Sequence, residues 1–120
     1  IASGLKFNEC IFQNIVFHES NRIANLKQGF INFDILKESE SSAVSRCTFK
    51  NIDLDDNYLI KARIIEKPSK YFYIRVENNR FININSNNDD IIKLCDEYQQ
   101  KLTRRWITES VGTERDNIFE

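Results

Sequence analysis

The sequence predicts a mainly β fold: stacked, strand-rich coils forming a β-solenoid, followed by a C-terminal α-helix. Three observations predict it. The hexapeptide Cys10-Ile11-Phe12-Gln13-Asn14-Ile15 returns as Cys47-Thr48-Phe49-Lys50-Asn51-Ile52 and, loosened, as Asn79-Arg80-Phe81-Ile82-Asn83-Ile84. The copies start 37 and 32 residues apart (10 to 47, 47 to 79), and a recurrence at such a period is the mark of stacked structural units. Side chains within each copy alternate as in a strand. Apolar residues then recur at helical spacing only after the last copy.

The elements follow in order. An apolar residue precedes each motif by three positions (Phe7, Val44, Val76), and Leu5, Ser42 and Ile74 precede it by five. A short first strand is therefore expected before each motif. In the motif strand, alternation puts Cys10, Phe12 and Asn14 on one face and Ile11, Gln13 and Ile15 on the other, with Phe and Cys inward and Asn where the strand bends. A third strand is expected at Phe30–Ile35 in the first gap and at Tyr58–Ile65 in the second. Lys37–Ser42 and Glu66–Lys70 read as polar loops, the single Pro68 barring a paired central strand in the latter.

Residues 89–109 read as a helix. Asn88 or Asp89 suits an N-cap, and Asp89 and Asp90 suit the positive end of the helix dipole. Ile91, Leu94, Cys95, Tyr98, Leu102 and Trp106 form one apolar stripe at helical spacing, Lys101, Arg104 and Arg105 gather where cations are favoured, and Gly112 is a plausible stop. An exposed sheet edge invites aggregation, so this helix is expected to cap the last coil or to pair two chains as a homodimer. The resulting division is a repeat region at 1–88 and a helix with a tail at 89–120. An α+β fold with an antiparallel sheet is the alternative.

Composition sets bounds. The chain has 120 residues, one domain's worth. A net charge of −1 with 29% charged residues gives no strong pull toward nucleic acid or anionic membranes. No apolar run approaches a bilayer span, and no secretory pattern is present. There is no Met, so a fragment of a longer protein is expected. Gly and Pro number 3 and 1; with few glycines, Asn is expected at left-handed corners. Cys10, Cys47 and Cys95 match no zinc spacing. Cys10 and Cys47 fit equivalent small apolar positions in adjacent coils, and free thiols and an intracellular setting are expected.

The motif Cys-x-Phe-x-Asn-Ile after an alternating strand resembles the coil signature of right-handed parallel β-helix proteins, the pectate-lyase-like superfamily. The resemblance covers residues 4–85 and implies about three coils of three strands, internal ladders of small and aromatic residues, and Asn at a coil corner. It also implies polysaccharide as a partner, since many members of that superfamily bind or cleave it.

No residue of this chain carries over as catalytic. Acid/base or calcium chemistry needs clustered carboxylates. Asp53, Asp55 and Asp56 are the weak candidates for such a site, and a solvated turn between strands is the better account of them. His18 has no nucleophile signature beside it, and no phosphate loop exists. Binding candidates are Tyr71 and Tyr73, whose rings could stack on a sugar or a protein, and the cluster Arg104, Arg105 and Trp106. No cofactor is expected. The expected function is a non-catalytic structural or partner-binding module, its partner being the rest of a longer protein, another protein or a polysaccharide. The alternative is the end piece of a carbohydrate-active enzyme, a polysaccharide lyase or glycoside hydrolase.

Overall fold

The computed structural model describes residues 5–18, 28–38, 40–66, 73–100, 105–110 and 112–120, and of 95–100 and 105–110 the backbone only. These residues contain strands and no helix. The first coil runs through β1 (Lys6–Asn8), β2 (Ile11–Val16) and β3 (Gly29–Ile35). The second runs through β4 (Ser42–Ser45), β5 (Thr48–Asp55) and β6 (Tyr58–Ile64), and the third through β7 (Ile74–Glu77), β8 (Arg80–Ser86) and β9 (Ile92–Lys93). A separate hairpin follows, β10 (Cys95–Gln100) and β11 (Arg105–Ser110), with β10 lying near β6, and the chain continues as β12 (Gly112–Arg115) and β13 (Ile118–Phe119).

Equivalent strands pair in parallel, giving three sheets: β1-β4-β7-β12, β2-β5-β8-β13 and β3-β6-β9. The result is a β-solenoid-like stack with three parallel sheets around one core. The register aligns the motif copies, pairing Phe12 with Phe49 and Phe49 with Phe81. Their rings stack at centroid distances of 5.0 and 5.2 Å and interplanar angles of 9° and 10°. The column continues one coil further than the motif search reaches: Phe119 stacks on Phe81 at 4.9 Å. Such a column combines apolar burial with ring–ring attraction worth about 0.5–1.5 kcal/mol per pair.

Two corners recur, both left-handed. Glu9, Arg46, Asn78 and Asp116 have φ between 52° and 58° and each directly precedes the first motif position. Glu9, Arg46 and Asn78 donate their N–H to the next coil, to Ser45 O, Glu77 O and Arg115 O. That bond offsets a backbone conformation that costs an L-residue roughly 1–2 kcal/mol, which is why Glu and Arg are tolerated where Asn was expected. Asn14, Asn51 and Asn83, with φ of 57°, 54° and 52°, form the second corner. This bend resets the alternation. Ile52, expected outside with its repeat equivalents, is buried in the core, and Ile15 and Ile84 pack against it.

Behind the first corner runs an internal polar ladder. Asn79 Nδ2 donates to Val44 O at 2.9 Å, and Asn117 Nδ2 donates to Val76 O at 2.9 Å. Cys47 Sγ donates to Phe7 O at 3.4 Å, so thiol and amide fill the same role in successive coils. Asn79 Oδ1 also accepts the Cys47 N–H at 2.9 Å.

Among the described residues there is no C-terminal capping helix, which overturns the expected fold class and removes the element through which a dimer was expected. The segment expected to be one helix is divided between β9, β10 and β11. Ile92, in β9, and Leu94, in the link between β9 and β10, are both buried. β10 and β11 pair antiparallel, Gln99 opposite Trp106 and Tyr98 opposite Ile107. The α+β alternative fails as well, since all sheets of the stack are parallel and the antiparallel pairing is confined to this hairpin. Helical spacing at Ile91, Leu94, Cys95 and Tyr98 was overridden by long-range pairing, which suits the β-branched and aromatic run Trp106-Ile107-Thr108. Gly112, expected as a helix stop, instead begins β12. There its Cα approaches β7 so closely that a Cβ would lie 2.4 Å from Ile74 O and 3.0 Å from Leu94 Cδ1. Pro68, with the rest of its loop from 67 on, and Leu102 lie outside the described residues.

Candidate functional site

The bend in the second sheet makes its outer surface concave. A groove of about 620 Å3 runs along the solenoid there, lined by Asn14, Asn51 and Asn83, by Val16, Asp53 and Asn85, and by the backbone side of Ile15, Ile52 and Ile84. Both polar columns follow from parallel register, which sets equivalent residues about 4.8 Å apart. The corner asparagines hydrogen-bond in series: Asn51 Nδ2 donates to Asn14 Oδ1 at 3.2 Å, and Asn83 Nδ2 donates to Asn51 Oδ1 at 2.9 Å. The groove floor is thus a row of solvent-exposed amides held in a single orientation.

The second column carries the charge. Val16 pairs with Asp53 and Asp53 with Asn85. His18 Nε2 lies 3.1 Å from Asp53 Oδ2, with both side chains near half exposed. Asn85 Nδ2 donates to Asp53 Oδ1 at 3.2 Å. The His18 hydrogen bond, aided by the N–H of Asp55, holds the Asp53 carboxyl below its ordinary range against the opposing effect of burial. Sequence reasoning found no nucleophile signature beside His18 and gave it no partner. Laying Val16-Phe17-His18 over Asp53-Leu54-Asp55 is the signal that brings it beside these acids.

The pairing gives a pH prediction. Because the folded value of Asp53 is depressed, its contribution to stability is present above the unfolded value and is lost as pH falls through the folded one. In His18→Ala the largest cause of the depression is gone. The Asp53 carboxyl 13C titration midpoint should move upward toward the ordinary aspartate value; an unmoved midpoint would refute the coupling.

The expected metal candidates do not converge. Asp53 faces His18 and Asn85, whereas Asp55 Oδ1 and Asp56 Oδ1 both accept from Asn87 Nδ2, at 3.1 and 3.0 Å. Asn88 Nδ2 donates to the carbonyls of Asp56 and Asn57 at 2.9 and 3.0 Å. The acidic turn is therefore capped by amides of the next coil, and no group of three metal-ligating side chains occurs among the described residues. Of the binding candidates, Tyr73 is half-buried, and its carbonyl accepts the Ser42 N–H at 3.0 Å. Arg105 and Trp106 are placed in β11, opposite Gln100 and Gln99. Tyr71 and Arg104 lie outside the described residues.

A second cavity, about 510 Å3, opens at the far end of the stack, where Phe81, Ile84, Ile92 and Phe119 meet Asp90 and Glu114. Glu114 occupies the register of the inward column Phe7, Val44 and Val76. Its side chain stays exposed, yet partial desolvation at the cavity wall, and then the Asp90 charge, pushes its carboxyl up.

No family, no curated protein and no solved structure matches this chain. Nothing in the described residues or in these comparisons indicates catalysis.

Proposed function

We propose that this chain is a non-catalytic recognition module of the right-handed parallel β-helix type, and that its groove binds an extended polymer, a linear polysaccharide. One observation carries this: the row of hydrogen-bonded corner amides Asn14, Asn51 and Asn83 on the floor of a continuous external groove. Amides offer donors and acceptors together, the complement of sugar hydroxyls, and their spacing along the solenoid axis suits a chain rather than a compact ligand. The enzyme alternative finds less support. Glycoside hydrolysis uses a pair of carboxyl groups, and Asp53 is the one carboxylate among the residues lining the groove.

The experiment is an oligosaccharide panel, neutral and charged, titrated into 15N-labelled protein. Shifts at the side-chain amides of Asn14, Asn51 and Asn83 are expected for at least one glycan. Asn51→Gly keeps the left-handed corner and removes the central amide. It should weaken that glycan on the order of 3- to 10-fold, the equivalent of one hydrogen bond, and leave the melting temperature nearly unchanged. Shifts confined to other surfaces, or none across the panel, would overturn the proposal.

A further inference from the structure

Two thiols stand one above the other at the first corner. Cys10 and Cys47 are equivalent positions of adjacent coils: the Thr48 N–H donates to Cys10 O at 2.9 Å, and the next residues, Ile11 and Thr48, are register partners. Both thiols are free. Cys47 is buried and its Sγ donates to Phe7 O and to Ser45 O, each at 3.4 Å, while Cys10 is half-buried with its Sγ 3.7 Å from Asn8 O. The same ladder continues below them with Asn79 and Asn117, whose amides make the equivalent bond to the preceding coil at 2.9 Å. A thiol is a weak donor beside an amide, so hydrogen bonding alone does not account for cysteine in two consecutive coils. What two stacked thiols add is the capacity to join.

We infer that Cys10 and Cys47 are an oxidisable dithiol that closes into a disulfide linking the first coil to the second. Parallel register holds the two Cα atoms about 4.8 Å apart, inside the 4.4–6.8 Å range that disulfides span. With a small-molecule disulfide such as oxidised glutathione, the chemistry runs in two exchanges. The accessible Cys10 thiolate attacks one sulfur, forming a mixed disulfide and expelling one glutathione thiolate. Cys47 gives up its proton to solvent, and its thiolate attacks Cys10 Sγ and expels the second. One disulfide is reduced to two thiols and one dithiol is oxidised, so electrons and atoms balance. Burial, with the Cys10 thiol beside it, pushes the Cys47 thiol up, so closure should quicken as pH rises from 7 to 9.

Tryptic mapping separates all three cysteines, because cleavage after Lys6, Arg22, Arg46, Lys50, Lys93 and Lys101 puts Cys10 in 7–22, Cys47 in 47–50 and Cys95 in 94–101. The native protein is incubated with oxidised glutathione, alkylated, and digested without reductant. The expected product is 7–22 joined to 47–50, with a higher melting temperature than the reduced protein. Cys47→Ser, which keeps a hydroxyl donor toward Phe7 O, should stop at glutathione on Cys10. Persistent glutathionylation of Cys10 in the wild type, a link from either thiol to 94–101, or recovery of unmodified 7–22 and 47–50 would each overturn the inference.

Discussion

Phe49→Ala is expected to destabilise the protein by about 3–5 kcal/mol, a fall in Tm on the order of 10–20 °C. Phe49 is 0% exposed and is sandwiched between Phe12 and Phe81. Truncation removes its own burial, leaves a cavity between two coils, and breaks both ring stacks at once. Relaxation cannot easily fill the gap, because the backbone spacing of the coils is fixed by the parallel hydrogen bonds on either side. Phe119 makes the same stack on one side only and is 60% exposed, so Phe119→Ala should cost about 1 kcal/mol. Thermal melts of the two variants decide it. Equal shifts would mean that the ring column does not act as a core, whatever its geometry.

The contrast shows which parts of the fold were legible. Phe12, Phe49 and Phe81 declared their column through a repeated motif, because equivalent residues of stacked coils meet the same environment and need the same side chain. Asn14, Asn51 and Asn83 declared the bend for a backbone reason: Asn tolerates the left-handed region better than other side chains. The fourth coil was missed because Asn117-Ile118-Phe119 carries only the first half of the motif, and because the hairpin β10–β11 separates it from the third. The hairpin itself was misread as a helix. Ile91, Leu94, Cys95 and Tyr98 satisfy a helical spacing by coincidence, and the pairing that decides the matter, Gln99 with Trp106, is not a local property of either strand. The groove was illegible for a related reason. Asn51 and Asp53 are unremarkable polar residues until the corner at Asn51 turns their strand and the register supplies Asn14, His18, Asn83 and Asn85 from other coils.

Asn79→Ala should be among the most damaging polar substitutions in the chain, at about 2–5 kcal/mol. Asn79 is 0% exposed. Its Oδ1 accepts the Cys47 N–H, its Nδ2 donates to Val44 O and Asn117 Oδ1, and its own N–H is held by Asn117 Oδ1. Alanine leaves the Cys47 N–H and Val44 O buried without these partners, and an unmade buried hydrogen bond costs more than a made one contributes. The rest of the ladder supplies an internal comparison. Cys47 makes the equivalent donation to Phe7 O through sulfur, so Asn79→Cys should recover part of the loss by restoring a donor toward Val44 O while serving the Cys47 N–H poorly. The reverse exchange should be nearly free. Cys47→Asn changes side-chain volume little, places an amide donor where the thiol already points, and presents an acceptor to the Cys10 N–H, so its stability should lie within about 1 kcal/mol of the wild type or above it. Urea titrations of the three variants give the order directly: Asn79→Ala lowest, Asn79→Cys intermediate, Cys47→Asn highest. If Asn79→Cys is as damaging as Asn79→Ala, sulfur does not substitute for the amide, and the Cys47 thiol contributes to the core through its packing alone.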